Sequence, residues 1–513
     1  MRNPVSLLVA SIIFLFISCE RYQKNASHQQ VSSGSIGMGK KLAAQYCASC
    51  HQLPDPSLAD AHSWQKGILP EMGPRFGIFN YGYEKYPSFK NDLNVDRNYY
   101  PASPVITLPD WQHIIDYYTA TSPDSLLPAK KESVQMNDSL FRPVQPSLSY
   151  YMPSASYVKI KHDELVICDA FKKKLYVFNK ALQLADSSDT KGSVTDMIED
   201  SAALILCNTG LLHPNNGKYG MIERVSKKNR SIDSMLFKDL RRPVHIIRSD
   251  INKDGKDDLV VCEFGNLEGA LSWLEKKDTG YVRHVIRAAP GATRAYVDDY
   301  DHDGSPDILA LFAQGDESIF LFTNKGDATF DAKQVLRFPP SYGSSYFELE
   351  DFNKDSYPDI VYTCGDNADY SPVLKPYHGI YIYLNDGKNN FTQSFFYPLN
   401  GCYKAMAKDF DNDGDLDIAA ISFFADYKNH PEEGFVYLEN NGNPASGATG
   451  LNFTGYSLDA AKYGRWLTMD AGDFDGDGKP DLVLGNFSLL DPVFKAGINW
   501  KQQPPFLLLK NIQ

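Results

Sequence analysis

Two thiols three residues apart, followed at once by an imidazole, form the first reactive cluster of this sequence: Cys47-Ala48-Ser49-Cys50-His51. That spacing lets both sulfurs add to the two vinyl groups of one porphyrin while His51 reaches the iron from the same side, the C-x-x-C-H pattern of haem c attachment. A thioredoxin-like redox pair would sit between a strand and a helix of a βαβ unit. Half of a zinc site would need a second Cys/His pair nearby. The sequence around residue 50 offers neither. The sixth iron ligand must come from further along. Met72, in Leu69-Pro70-Glu71-Met72-Gly73-Pro74, is the only methionine between the motif and residue 121, and a thioether ligand raises the reduction potential. His62 and His113 are its rivals.

A second chemistry is repeated. A nine-residue pattern occurs as DINKDGKDD (250–258), DYDHDGSPD (299–307), DFNKDSYPD (351–359), DFDNDGDLD (409–417) and DFDGDGKPD (473–481). Each copy has a carboxylate or amide at positions 1, 3, 5 and 9. The candidate ligands are Asp250, Asn252, Asp254 and Asp258; Asp299, Asp301, Asp303 and Asp307; Asp351, Asn353, Asp355 and Asp359; Asp409, Asp411, Asp413 and Asp417; and Asp473, Asp475, Asp477 and Asp481. Ca²⁺ takes six or more hard oxygen ligands, and alternate residues of a tight turn supply them. An EF-hand would place Glu at position 12, but here that position falls in an apolar run, so position 9 must close the shell. Up to five Ca²⁺ are implied. Gly at position 6 permits the turn in four copies; Ser356 stands there in the third and puts its turn in question.

The elements that must position these groups are legible around them. GKKLAAQY before Cys47 reads as a helix. Trp111, Ile114, Ile115 and Tyr118 have helical spacing within Pro109–Thr121, which puts His113 on that helix's surface. The region 38–128 resembles a small class I-like cytochrome c, with Cys47, Cys50, His51 and Met72 as its haem residues. The repeats resemble FG-GAP or VCBS repeats of calcium-binding β-propellers. Their loops start 49 to 64 residues apart, one four-stranded blade each. Glu164-LVIC and Ala203-LILC match Asp258-LVVC in register, placing position 9 at 164, 203, 258, 307, 359, 417 and 481. Seven registers give seven blades, with six and eight as the alternatives. Phe141–Ser149 is the candidate closing strand beside Pro505–Asn511. Cys168, Cys207 and Cys262 then fall at equivalent strand positions, as buried thiols or as an inter-blade disulfide. The disulfide state of Cys364 and Cys402 is equally open.

The expected fold is therefore multidomain: a small all-α cytochrome c domain followed by an all-β propeller. The expected map is a lipoprotein signal peptide at 1–18, a flexible tether at 19–37, the helical domain at 38–128, a linker with a closing strand at 129–149 and the propeller at 150–513. Arg2, the apolar run Leu7–Ile17 and Phe16-Ile17-Ser18-Cys19 resemble a bacterial lipobox with Cys19 as the lipidated residue; a plain signal peptide is the alternative. Lipid anchoring implies the cell envelope, on the periplasmic face or the cell surface of the outer membrane.

Short segments before the Asp-rich loops place His245, Arg294, Tyr346, Lys404 and Arg465 at the start of what would be the innermost strands. They could form a ring at a channel mouth for an anionic ligand or acidic partner, or be ordinary polar strand ends. The chain of 513 residues carries a net charge of −13, which disfavours nucleic acid as a partner. Eighteen Asp sit at candidate ligand positions, so much of that acidity is structural. The implied function is electron transfer through one covalent haem, with the propeller as a partner- or ligand-binding platform and a redox protein or small molecule as electron donor. The first alternative is a propeller dehydrogenase that oxidises a sugar or alcohol and reduces its own haem, with His245 as its candidate base. The second is a surface adhesion or glycan-binding protein, for which the insert 487–504 with Trp500 would be an exposed aromatic loop.

Overall fold

The computed structural model describes residues 22–24, 30–148, 152–229, 231–368, 371–442, 450–489, 497–500 and 503–513. The leader at 1–18 and the lipidation candidate Cys19 lie outside them, as do parts of the tether and of the 487–504 insert.

Seven sheets follow one another along the chain as the blades of a propeller. Blades 1 to 5 are each built from four consecutive antiparallel strands, spanning 155–189, 194–240, 243–287, 292–337 and 344–398. Blade 6 takes its first four strands from 402–457 and gains a fifth, Gln135–Met136, which pairs parallel to its outer edge. Blade 7 takes three strands from 466–511. Its fourth is Phe141–Val144, paired antiparallel to Phe506–Asn511. Residues from before blade 1 thus complete the last blade, which seals an edge that would otherwise stay open.

The second strands begin at Glu164, Ala203, Asp258, Asp307, Asp359, Asp417 and Asp481, the seven registers read from the sequence. They are buried on both faces because each blade packs between two others, which is why they read as unbroken apolar runs. Cys168, Cys207, Cys262, Cys364 and Cys402 are buried free thiols in this packing. Burial pushes all five thiols up from their ordinary value and keeps them protonated.

Ahead of the propeller, helices α1 (Ser33–Tyr46) and α2 (Leu108–Thr121) pack together. Trp111, Ile114, Ile115 and Tyr118 form the buried face of α2. The contact is close at Gly39, where a Cβ would lie 1.8 Å from the His113 carbonyl oxygen. Among the described residues, no helix is long and apolar enough to cross a membrane.

Candidate functional site

The Asp-rich turns share one geometry. At position 1, the Asp250 carboxylate accepts from the N–H groups of Asp254 (3.0 Å) and Gly255 (2.9 Å). Asp299, Asp351, Asp409 and Asp473 do the same in their own loops. Position 6 is left-handed throughout. Ser356 adopts a φ of 71° there, so the third loop keeps its turn without glycine.

Position 9 is a latch. Asp417 accepts from Phe410 N–H (3.1 Å), Asn440 N–H (2.8 Å) and the Tyr437 hydroxyl (2.8 Å). It therefore ties its loop to the third strand of its own blade. Asp258, Asp307, Asp359 and Asp481 make the equivalent pair of backbone bonds. Position 2 carries an apolar side chain, and Ile251, Phe352, Phe410 and Phe474 are all buried. The motif is thus also a core plug, a role signalled by the recurrent Phe and Tyr.

Ligand atoms of Asp299, Asp301 and Asp303 lie within 4.8 Å of one another, as do those of Asp409, Asp411 and Asp417 and those of Asp473, Asp475 and Asp481. Burial, followed by crowding from neighbouring carboxylates, pushes the Asp417 carboxyl up to about 7 and Asp481 to about 6. Such crowding suits a dication, whose charge would reverse those shifts. In the fifth loop, Lys510 ion-pairs with Asp475.

The innermost strands bring four of the five ring candidates into one belt. Their shared register is Tyr157, Asp196, His245, Arg294, Tyr346, Lys404 and Thr468, each just past a bulge at the strand start. Arg465 is not in this register. It precedes the strand, is buried, and stacks 3.7 Å from the Phe423 ring centroid while donating to the Phe423 carbonyl. Arg465 stands where Gly401 stands, three residues before the register position, because blade 7 has three residues between Gly464 and Thr468 where blade 6 has two between Gly401 and Lys404.

The belt residues are engaged with neighbouring blades. Tyr157 hydroxyl donates to Met197 O, Asp196 accepts from Ile246 N–H, and His245 Nε2 meets Ala295 O. Arg294 lies 4.5 Å from the Tyr346 ring centroid. Lys404 Nζ donates to Met469 O. Two residues deeper, Glu348 accepts from Ala407 N–H and Asp470 from Ile160 N–H. Together these contacts staple every blade to the next. His245 has both nitrogens occupied, since Nδ1 lies 2.6 Å from Asp196 Oδ2. Burial would raise the Asp196 carboxyl, but His245 and the Ile246 and Met197 N–H groups hold it below its ordinary value. Asp196 was missed from the sequence because blade 2 lacks the Asp-rich loop that flags the register.

Lys404 makes the belt sensitive to pH. Burial, then the Arg294 charge, lowers its ammonium to about 8, against Asp470 and Glu348, while Lys159 adds to the lowering. The unfolded chain therefore holds this proton more tightly between pH 8 and the ordinary lysine range, and stability rises with pH across that window. Lys404→Met is expected to remove a rise on the order of 1–3 kcal/mol. Urea titrations of both proteins at pH 7.5 and 9.5 measure it.

The helical segment docks on the end of the propeller opposite the Asp-rich loops. Arg241 Nη1 donates to Asn94 O (3.2 Å) and Asn216 O (2.6 Å), and its Nη2 pairs with Glu268 at 3.2 Å. Asn216 donates to Asp92, Asp96 N–H donates to Glu268, and the Tyr377 hydroxyl donates to Leu58 O. Val95 and Tyr100 cluster with Leu267. Loops after the second strands of blades 2, 3 and 5, with Arg241 from the connection between blades 2 and 3, therefore carry this contact.

Within that segment, Cys47 and Cys50 lie in the helical turn after α1, with Cys47 part-buried and Cys50 exposed. His51 Nδ1 lies 2.9 Å from the Gln52 carbonyl oxygen, which leaves Nε2 for another partner. Met72 ends the short helix Leu69–Met72 and packs on the core while partly exposed. His113 Nδ1 is 2.7 Å from the Ser35 hydroxyl in the helix contact, and His62 is exposed. Trp500 is buried, donates to Lys462 O and packs 4.8 Å from Tyr427. It is an anchor rather than part of an exposed aromatic loop.

Seven blades, five of them carrying Asp-rich turns, define this protein as a β-propeller that contains FG-GAP-like repeats. Residues 250–310, 299–362 and 409–484 match the FG-GAP-like repeat model. No curated protein matches the chain. Among solved structures, the N-terminal domain of Nup159 is similar at a TM-score of 0.42 and 12% identity, covering 74% of this chain and 98% of that one. BBS1N in complex with ARL6DN gives 0.43 and 11%, covering 73% and 97%. The computationally designed Ika8 protein gives 0.38 and 10%, covering 72% and 100%.

Proposed function

We propose that this protein is an exported, lipid-anchored electron carrier in which one covalent haem c rides on a Ca²⁺-stabilised propeller that docks its redox partner. The observation that carries the reading is the Cys47-x-x-Cys50-His51 cluster at the end of α1. The residues fit the group. The two thiols are free, and the His51 ring is oriented through Nδ1, the outer contact usual for a metal-bound imidazole. Cys47, Leu53, Ile68, Met72 and Phe76 all pack on the helical core yet stay partly exposed, the apolar surface a macrocycle would cover. Cys47 and Cys50 would hold the haem covalently, and His51 and Met72 would ligate its iron. The bound group supplies one-electron chemistry.

The chain's own contribution is positional. Arg241, Glu268 and Tyr377 fix the helical segment on one end of the propeller, leaving the Asp-rich loops at the other. Held there, the loops can take Ca²⁺ through oxygen ligands alone without touching the redox group. His245, the base named for the dehydrogenase reading, has both ring nitrogens engaged.

Expression of the full chain with a haem-maturation system tests the reading. The wild type is expected to carry one haem that stays with the polypeptide after acid–acetone extraction and gives a c-type pyridine haemochrome. Cys47→Ser with Cys50→Ser should lose all of it. A wild type without covalent haem would overturn the reading.

A further inference from the structure

We propose that His430, Glu432 and Glu433 form a binding site for a transition-metal dication such as Zn²⁺, separate from the Asp-rich loops. The three lie after the second strand of blade 6, on the end of the propeller that carries the helical segment. One ligand atom from each lies within 4.8 Å of the other two. His430 Nδ1 and Glu432 Oε1 are 3.3 Å apart. Two donors held about 2.0–2.1 Å from a tetrahedral zinc are themselves about 3.3 Å apart.

The second observation is a buried oxygen without a partner. Glu433 is only 2% exposed. Lys131, from the segment before the propeller, pairs with its Oε1 at 2.6 Å. Its Oε2 is buried and has no hydrogen-bond partner among the described residues. A buried carboxylate oxygen left unmatched is costly, and native structures rarely keep one unsatisfied. A cation among the three side chains satisfies it. Lys131 then becomes the outer partner that orients a ligating carboxylate. Two carboxylates against one lysine still leave the cluster net negative when His430 is neutral.

The backbone under the cluster is pinned before any ion arrives. Asn429 N–H and His430 N–H both donate to Asp426 O, at 3.1 and 2.7 Å. The Ser457 hydroxyl donates to Glu432 O at 2.7 Å. The donor set also separates this site from the nine-residue loops. An imidazole nitrogen selects Zn²⁺, Ni²⁺ or Cu²⁺, whereas all-oxygen loops suit Ca²⁺. Three protein ligands leave a fourth position for water or an incoming group, the pattern of a reactive rather than a closed structural site.

The test is a Zn²⁺ titration of the Ca²⁺-saturated full chain in competition with a chromophoric chelator, alongside His430→Ala and Glu432→Gln. Both variants alter partly exposed side chains, so circular dichroism and Ca²⁺ content should match the wild type. The expected result is one Zn²⁺ held by the wild type and weakened at least tenfold by either substitution. Zinc-edge absorption should report one imidazole with oxygen donors. Equal Zn²⁺ binding by His430→Ala, displacement of the zinc by millimolar Ca²⁺, or no binding by the wild type would each overturn the proposal.

Discussion

Asp417→Ala is expected to destabilise the propeller by on the order of 4 kcal/mol or more, and to abolish one Ca²⁺ site. Asp417 is fully buried and is the acceptor for Phe410 N–H, Asn440 N–H and the Tyr437 hydroxyl. Alanine leaves three donors facing a void, at about 1–3 kcal/mol for each one that stays unpaired. The metal contribution is separable by chelation. At a hundredfold excess over Kd, each bound ion adds about 2.7 kcal/mol, so emptying five loops should lower Tm by about 10–25 °C. The drop in EGTA should be smaller for Asp417→Ala than for the wild type, because one site is already lost. Differential scanning calorimetry with and without EGTA checks both parts. An unchanged wild-type Tm in EGTA would remove calcium from the account and leave the propeller itself intact.

The Asp-rich loops show what the sequence could reveal. Their spacing was conspicuous because a carboxylate or amide recurs at positions 1, 3, 5 and 9 in all five copies. The latch was hidden, because hydrogen bonds from Asp417 to residues 410 and 440 depend on strands that only the fold brings together. The plug at position 2 was hidden too, because its burial depends on how the blades pack. The seven strand registers were readable even where blades 1 and 2 lack the loop. Glu164 and Ala203 still open the same apolar run, and burial on both faces dictates that run.

The channel belt shows the opposite case. His245, Arg294, Tyr346 and Lys404 stood out as polar residues at equivalent positions, which suggested a ligand ring. His245 and Lys404 reach backbone atoms of the neighbouring blade, Ala295 O and Met469 O, and no residue type in a sequence announces a backbone acceptor. Asp470 and Glu348 serve the same purpose two residues deeper. Arg465 falls outside the belt because blade 7 has one more residue between its glycine and the register position Thr468 than blade 6 has before Lys404. The docking contacts of Arg241 were illegible for a related reason: they join residues 94, 216 and 268, which share no local pattern. The lone cluster at His430 was equally silent, since His-x-Glu-Glu in a loop is common without a metal.

Phe141→Ala is expected to cost about 3–5 kcal/mol, an unusually large effect for a residue outside the repeats. Phe141 is 2% exposed and lies edge-on to Phe410 at 5.6 Å, Tyr437 at 5.8 Å and Phe435 at 6.4 Å. It therefore anchors the closing strand between blades 6 and 7 rather than merely lying beside blade 7. Phe141–Val144 covers the edge of Phe506–Asn511, whose first four residues are fully or almost fully buried. Deleting residues 141–144 should do more than the point change. It exposes that apolar strand as an open edge, and open edges pair with other chains. Equilibrium urea unfolding reads the first effect, and light scattering during refolding reads the second. If both proteins unfold like the wild type and stay monomeric, the ring is closed by the inter-blade staples alone. If Phe141→Ala is destabilised while Asp470→Ala is less so, the closing strand dominates, because Asp470 joins blades 7 and 1 through Ile160 N–H and the Lys159 ammonium. The two substitutions thus apportion closure between a strand supplied from before the repeats and the belt of side chains lining the channel.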